Sequence, residues 1–184
     1  MIQPIETHYK GYRFRSRIEA RWAVFFDHLG IVWDYEKEGY ELGELGRYLP
    51  DFWLENVGFA GGEHGMFVEV KSILPTEKEM KKLDKVATTL NARSGFLIHM
   101  ANDVTGQHIG LGRGFHQKNM VFIKCLSCSE MSFDWGGLTF IVCHECGAEF
   151  LIGDVARHKD IVQGIQLAKS ARFEFLKEKN EHGK

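Results

Sequence analysis

The feature that most constrains this chain is where its cysteines fall. All four occur in two pairs, Cys125-Leu-Ser-Cys128 and Cys143-His-Glu-Cys146, with 14 residues between the pairs. In a secreted chain such pairs read as disulfides. In an intracellular chain, C-x-x-C repeated at this distance reads as a tetrathiolate zinc site. Each pair makes a short knuckle, and the residues between the knuckles form a strand or hairpin. Four unrelated buried cysteines, or one redox C-x-x-C and a spare pair, are the alternatives. The zinc reading leaves no cysteine over. Because four thiolates fill a tetrahedron and leave no open position, Cys125, Cys128, Cys143 and Cys146 are expected to hold a structural Zn²⁺.

The rest of the chain has the composition of a globular protein. Its 184 residues are 44% hydrophobic and 26% charged, with a net charge of −2, which excludes a mostly disordered or fibrous chain. No apolar run approaches the roughly 18 to 20 residues that cross a bilayer, so no membrane partner is expected. The opening segment MIQPIETHYKGYRFRSR lacks the apolar core of a signal peptide, so a cytoplasmic location is expected. With so small a net charge, affinity for nucleic acid must come from local patches.

Periodicity predicts an α/β chain. Ser16 and Glu19 form a capping box in a first helix over residues 12–29, with Ile18, Trp22, Phe25 and Leu29 as its apolar face. Strands are expected at 31–35, 47–54 and 66–71, the last two joined by a loop rich in glycine. Thr76 and Glu79 cap a second helix, with Leu83, Val86, Ala87 and Leu90 as its stripe. A strand over 95–100, a glycine-rich stretch over 106–114 and a short strand over 120–123 lead to the cysteine module, read as a separate lobe. A last helix is expected from about Asp154 to Lys179, with Ile161, Ile165, Ala168 and Phe175 on one face.

Four polar residues sit where chemistry could use them. Glu19 lies in the first helical turn, and Asp51 follows Pro50 in the strand-like YLPDFWL. Glu69 and Lys71 are two apart in FVEVKS and so share one face of a strand, with Val68 and Val70 turned to a core. Two carboxylates and an ammonium at one sheet edge suit Mg²⁺ or Mn²⁺, and such a cation can polarise a phosphodiester and activate water. The bland alternatives are a helix cap for Glu19, a turn carboxylate for Asp51, and a solvated ion pair for Glu69 with Lys71. Charges that interrupt an apolar strand argue for use, because burying them is costly. Basic residues interleaved with aromatics, Arg13, Arg15, Arg17 and Arg21 beside Tyr12 and Phe14, suit a surface that tracks phosphates. A solvated face would read the same way.

On Pro50-Asp51, on Glu69-Val70-Lys71 and on Glu19 in the preceding helix, the chain resembles the PD-(D/E)XK superfamily of restriction-endonuclease-like nucleases. The stretch YKGYRFRSRIEARWAVFFDHLGIVWDYEKEG is similar to the opening of small phage-type and transposase-associated members. The likeness covers roughly residues 9–101 and implies that family's core of helix, three strands, helix and strand in a mixed sheet. It implies Asp51, Glu69 and the Val70 carbonyl as ligands of Mg²⁺ (or Mn²⁺), Lys71 as the residue that positions water, and Glu19 as a further acidic group. A metal-dependent DNA endonuclease follows, with branched or junction DNA among its expected substrates in a phage or bacterial host cell, and with residues 1–123 as nuclease core, 124–150 as zinc ribbon and 151–184 as C-terminal helix and tail. The alternative is a non-catalytic adaptor for nucleic acid or protein built on such a core.

The cysteine module itself does not read as a DNA reader. From Cys125 to Asp154 there is no lysine or arginine, while Glu130, Asp134, Glu145, Glu149 and Asp154 are acidic. Its apolar residues exceed what so small a unit can bury alone, so it is expected to pack on the core and the C-terminal helix, on a protein partner, or on a second copy in a homodimer.

Overall fold

The computed structural model describes residues 4–59, 63–71, 76–89, 97–100, 104, 107–111, 117–135 and 139–173. In chain order the elements begin with β1 (Thr7–Tyr9), β2 (Tyr12–Phe14), α1 (Arg17–Leu29), β3 (Trp33–Tyr35), β4 (Tyr40–Glu41), β5 (Arg47–Tyr48), β6 (Phe52–Phe59) and β7 (Glu63–Val70). They continue with α2 (Glu77–Thr89), β8 (Leu97–Met100), β9 (Gln107–Leu111), β10 (Gln117–Lys124), β11 (Met131–Trp135), β12 (Phe140–Val142), β13 (Glu149–Leu151), α3 (Ile152–Ala156) and α4 (Lys159–Ser170). The chain is mixed α/β, as its periodicity predicts, with a four-cysteine cluster and a helix near its C-terminal end.

The first helix is shorter than expected. Lys10 and Gly11 both adopt left-handed backbone, φ 48° and 83°, and this turn folds Tyr12–Phe14 back on Thr7–Tyr9 as a hairpin. Ser16 then caps α1 as read: its Oγ accepts the Glu19 N–H at 3.3 Å and donates to Glu19 Oε1 at 2.6 Å. Gly30, left-handed at φ 71°, ends it.

Seven strands form one sheet in the order β11-β10-β9-β8-β7-β6-β3. β3, β6 and β7 are successive antiparallel neighbours, whereas β8 runs parallel to β7 after the crossover through α2. The glycine-rich stretch, to which the sequence assigns no element, contains β9, antiparallel to both β8 and β10; there Gly110 stands in register with Ile98 and Lys118. β11 also reaches β6, with Ser132 opposite Gly58, so the sheet curls until its far strand meets its near half. That closure breaks the expected separate lobe: residues 131–135, between the knuckles, are a strand of the main sheet. The last helix is also divided. His158 takes an extended ψ of 137° and its side chain caps α4 by accepting the Asp160 N–H at 3.2 Å. The expected continuation to Lys179, the side chains of Leu83 and Ala87, and Leu90, Gly95 and Phe175 lie outside the described residues.

α1 covers one face of the sheet. Trp22, Phe25 and Phe26 are fully buried against Phe52, Leu54, Met66 and Phe122, with edge-on contacts such as Phe25 to Phe122 at 5.4 Å. Val68 and Val70 belong to this core, as their alternation requires. The opposite face gathers Phe67, Leu42 and Val86, with Tyr48 and Trp53 packed on them. A bulge between Leu54 and Gly58 leaves Gly65 at φ 103°, where a Cβ would lie 2.5 Å from the Trp53 ring. Gly65→Ala is therefore expected to destabilise the fold by about 2–4 kcal/mol, through left-handed strain and ring displacement together. Denaturant unfolding checks it, and an unchanged midpoint would show that Trp53 yields freely.

Candidate functional site

One end of β7 collects the acidic residues. Asp51, Glu69 and Glu19 are 3%, 4% and 6% exposed, so none is a solvated surface carboxylate. Each reaches the site on a different element: Asp51 just before β6, Glu69 near the end of β7, Glu19 in the first turn of α1. The break at Pro50-Asp51 makes this possible, because residues 47–54 are two strands, β5 and β6, and not the single strand expected. Freed from a ladder position, the Asp51 carboxylate turns to the neighbouring strand, where Oδ2 accepts the Val70 N–H at 2.7 Å.

Every carboxylate oxygen of the cluster has a donor. Asp51 Oδ1 accepts from the Arg15 guanidinium at 2.6 Å. Glu69 Oε2 accepts the Tyr48 hydroxyl at 2.5 Å, and Lys71 Nζ lies 2.7 Å from Glu69 Oε1. Glu19 Oε2 accepts the Tyr35 hydroxyl at 2.6 Å and the Arg15 N–H at 3.0 Å. Lys71 also lies 3.6 Å from Glu79, the cap residue of α2, which bonds the Thr76 N–H at 2.8 Å.

The electrostatics follow from burial. Desolvation, then the charges of Glu69 and Glu19, push the Asp51 carboxyl well above the usual range despite the Val70 N–H and Arg15. Burial and the adjoining Glu69 raise the Tyr48 phenol well above its ordinary value, and burial and Glu19 do the same for Tyr35, so both hydroxyls stay protonated and donate to those carboxylates, while the Tyr35 oxygen also accepts the Arg15 N–H at 3.2 Å. Burial acts to lower the Lys71 ammonium, but attraction to Glu69 outweighs it and raises the group. Lys71 is thus a cation at neutral pH, an orienting and charge-stabilising group and not a proton acceptor.

Sequence reasoning grouped Glu19, Asp51, Glu69 and Lys71, and the fold brings all four to this end of the sheet. It missed Tyr48 and Tyr35, which no local pattern marks, and read Glu79 only as a helix cap. It read Arg15 with the phosphate-tracking residues, and the fold places Arg15 inside the acidic cluster, bridging Asp51 and Glu36 (2.8 Å) because two carboxylates there need a counter-charge. Arg13 pairs with Glu6 on the exposed hairpin, and Arg17 and Arg21 are half-buried on α1.

The second site is the cysteine cluster. Its four ligand sulfurs all lie within 4.8 Å of one another, and the Cys125–Cys146 and Cys128–Cys143 Sγ pairs are 3.6 Å apart. A Zn–S distance of about 2.3 Å in a tetrahedron gives sulfur–sulfur edges of about 3.8 Å, so the four thiols are placed to hold a metal ion such as zinc. The two knuckles are built alike. Ser129 and Gly147, each four residues after the first cysteine, are left-handed at φ 65° and 73°, and donate to the Cys125 and Cys143 carbonyls. Cys125 and Cys143 in turn donate to the carbonyls of Glu130 and Ala148. Burial opposes a Cys125 thiolate, but the N–H groups of Cys128 and Ser127 bring that thiol down to about 7.

Among the described residues this is the group of three or more acidic, histidine or cysteine side chains placed to hold a metal by itself; Glu19, Asp51 and Glu69 do not form such a group. No described helix is long and apolar enough to cross a membrane. The chain matches no known protein family, no curated protein and no solved structure.

Proposed function

We propose that the chain is a metal-dependent DNA endonuclease with a restriction-endonuclease-like core and a structural Zn²⁺ on its four cysteines. The observation that carries this reading is the convergence of buried Asp51 and Glu69 with Lys71, tied by the Asp51 bond to the backbone of Val70, between Glu69 and Lys71. The pairing of β3, β6 and β7 antiparallel, then β8 parallel after a helix, agrees with the element order the resemblance implies. A buried carboxylate cluster in which Asp51 has a raised proton affinity is expensive to keep unless a reaction uses it.

Asp51, Glu69 and the Val70 carbonyl would hold Mg²⁺, a hard cation that needs few protein ligands because water and phosphate oxygens complete its shell. Arg15 and Lys71 already face these carboxylates, so the oxygens are directed at positive charge. Bound Mg²⁺ would supply a polarised phosphate and a water of lowered pKa. Lys71 orients the attacking water and stabilises charge on the phosphoryl oxygens. Tyr48 keeps Glu69 aimed, and Tyr35 with Ser16 does the same for Glu19. The test is purified protein against supercoiled, single-stranded, flap and junction DNA with Mg²⁺, Mn²⁺ or chelator. Cleavage should require the cation, and no cleavage of any substrate would overturn the reading.

Arg15 and a cation compete for Asp51. Arg15→Gln is expected to tighten Mn²⁺ binding by about threefold to tenfold at pH 8, measured by calorimetry, because an intramolecular counter-charge is removed. Weaker Mn²⁺ binding by that variant would show that Arg15 supports the cation site.

The raised Asp51 carboxyl gives a pH signature. Protonating it stabilises the metal-free fold: the contribution is full below about pH 3.9, the unfolded value, and is lost as pH rises through the higher folded one. Asp51 would hold Mg²⁺ only in its deprotonated form, so proton and cation would compete for it. Stabilisation of the fold by Mg²⁺ should be largest near pH 8 and shrink as the solution is acidified into the range where Asp51 binds a proton. Equal melting shifts at pH 8 and pH 5 would remove Asp51 from the ligand set.

A further inference from the structure

The small sheet beside the cysteines has one buried face and one open face. β12 and β13 pair Phe140 with Leu151, Ile141 with Phe150 and Val142 with Glu149. Ile141 is 8% exposed and, with Phe150, packs on Val121, Ile123 and Val155 of the main body. Strand alternation turns Phe140, Val142 and Leu151 the other way, where they are 64%, 47% and 46% exposed. Other exposed large apolar residues, such as Ile5, Val32 and Val162, stand on separate elements; here three share one face of one hairpin. An apolar patch of this kind on a water-facing sheet marks a surface meant to be covered.

Charge decides what covers it. Glu149 stands on that same face beside Val142, and Glu145 and Asp154 are exposed nearby in sequence. With no lysine or arginine anywhere from Cys125 to Asp154, every Asp, Glu, Lys or Arg that the hairpin and its knuckles carry is acidic. A phosphate backbone would be repelled, and so would a second copy, because a two-fold contact sets the same acidic patch against itself. We propose that this face docks a polypeptide partner whose apolar side chains are flanked by lysine or arginine. The apolar groups cover Phe140, Val142 and Leu151, while the basic ones meet Glu149 and its acidic neighbours, which favours encounter and fixes orientation. This face uses neither Asp51 nor Glu69, so it does not depend on the nuclease reading.

The experiment pans a random peptide library on the full zinc-loaded chain. Enriched peptides should carry two or more large apolar residues with a net positive charge. Their affinity should fall at least about tenfold for Phe140→Ser with Leu151→Ser, and several-fold between about 0.05 and about 0.5 M salt. Zinc content and circular dichroism report whether that double variant is folded. Glu149→Lys, an exposed charge reversal, is the second probe and should weaken basic peptides while sparing neutral ones. No enrichment, enrichment of acidic sequences, or equal binding to both variants would overturn the proposal. So would a dimer in sedimentation that Phe140→Ser with Leu151→Ser converts to monomer, because the occupant would then be a second copy.

Discussion

Glu69→Gln is expected to lower metal-dependent cleavage by about 10³-fold or more, a barrier increase of about 4 kcal/mol. The change keeps the side chain's size, so the Tyr48 hydroxyl 2.5 Å away still has an oxygen to donate to. What disappears is the negative charge that faces Lys71 and would hold the cation. Asp51→Asn should act alike, and Lys71→Ala should match it, because that ammonium is the cation nearest Glu69. The fold should persist in each variant, since Phe52, Leu54, Val68 and the α1 aromatics pack on the other side of the strands. Unchanged zinc content and circular dichroism are the controls. Substantial cleavage by Lys71→Ala at neutral pH would falsify the role given to that lysine. Full activity of Glu69→Gln would move the chemistry elsewhere.

Loss of zinc should be felt far beyond the knuckles. Purified protein is expected to carry one Zn²⁺ per chain, and Cys125→Ser to lose it. Zinc binding contributes about 10–16 kcal/mol in small modules, comparable to the whole stability of a domain, about 5–15 kcal/mol. Here the metal would clamp both ends of the segment that contains β11, and β11 pairs with β10 along Met120–Lys124 and touches β6 at Gly58. Stripping the metal should therefore loosen the main sheet as well as the knuckles. A strong chelator or Cys125→Ser should lower the melting temperature by about 10 °C or more, with a single transition. Well under one zinc per chain, with four titratable thiols in a protein of unchanged melting temperature, would refute this.

Local patterns carried much of this structure. The Ser16–Glu19 cap, the Gly30 stop and the Thr76–Glu79 cap are contacts within one helical turn, so the sequence alone places them. The two knuckles are likewise local, because four or five residues around each cysteine pair close their own hydrogen bonds. The alternation of Val68 and Val70 against Glu69 fixes which side of β7 meets the core, since a strand offers only two faces.

The helix start and the 106–114 stretch depended on backbone turns and pairing that local pattern does not mark. Tyr12–Phe14 has residues that suit either a strand or a helical turn, and the left-handed Lys10-Gly11 pair decided for a hairpin. The glycines of the 106–114 stretch mark no element, yet pairing on both sides of β9 makes part of it a strand, since a central strand gains two ladders of hydrogen bonds.

What the sequence determined by itself was a set of candidate groups: four thiols in two knuckles, and Glu19, Asp51, Glu69 and Lys71 in or beside the elements it marks. Only the tertiary structure decided who their partners are. Arg15 meets Asp51 across 36 residues, Tyr48 meets Glu69 across 21, and β11 leaves its knuckles to join the main sheet. Contacts of that range depend on how the sheet curls and where the strand breaks at Pro50-Asp51. No residue-by-residue preference encodes them, because their free energy exists only once distant segments have been brought together.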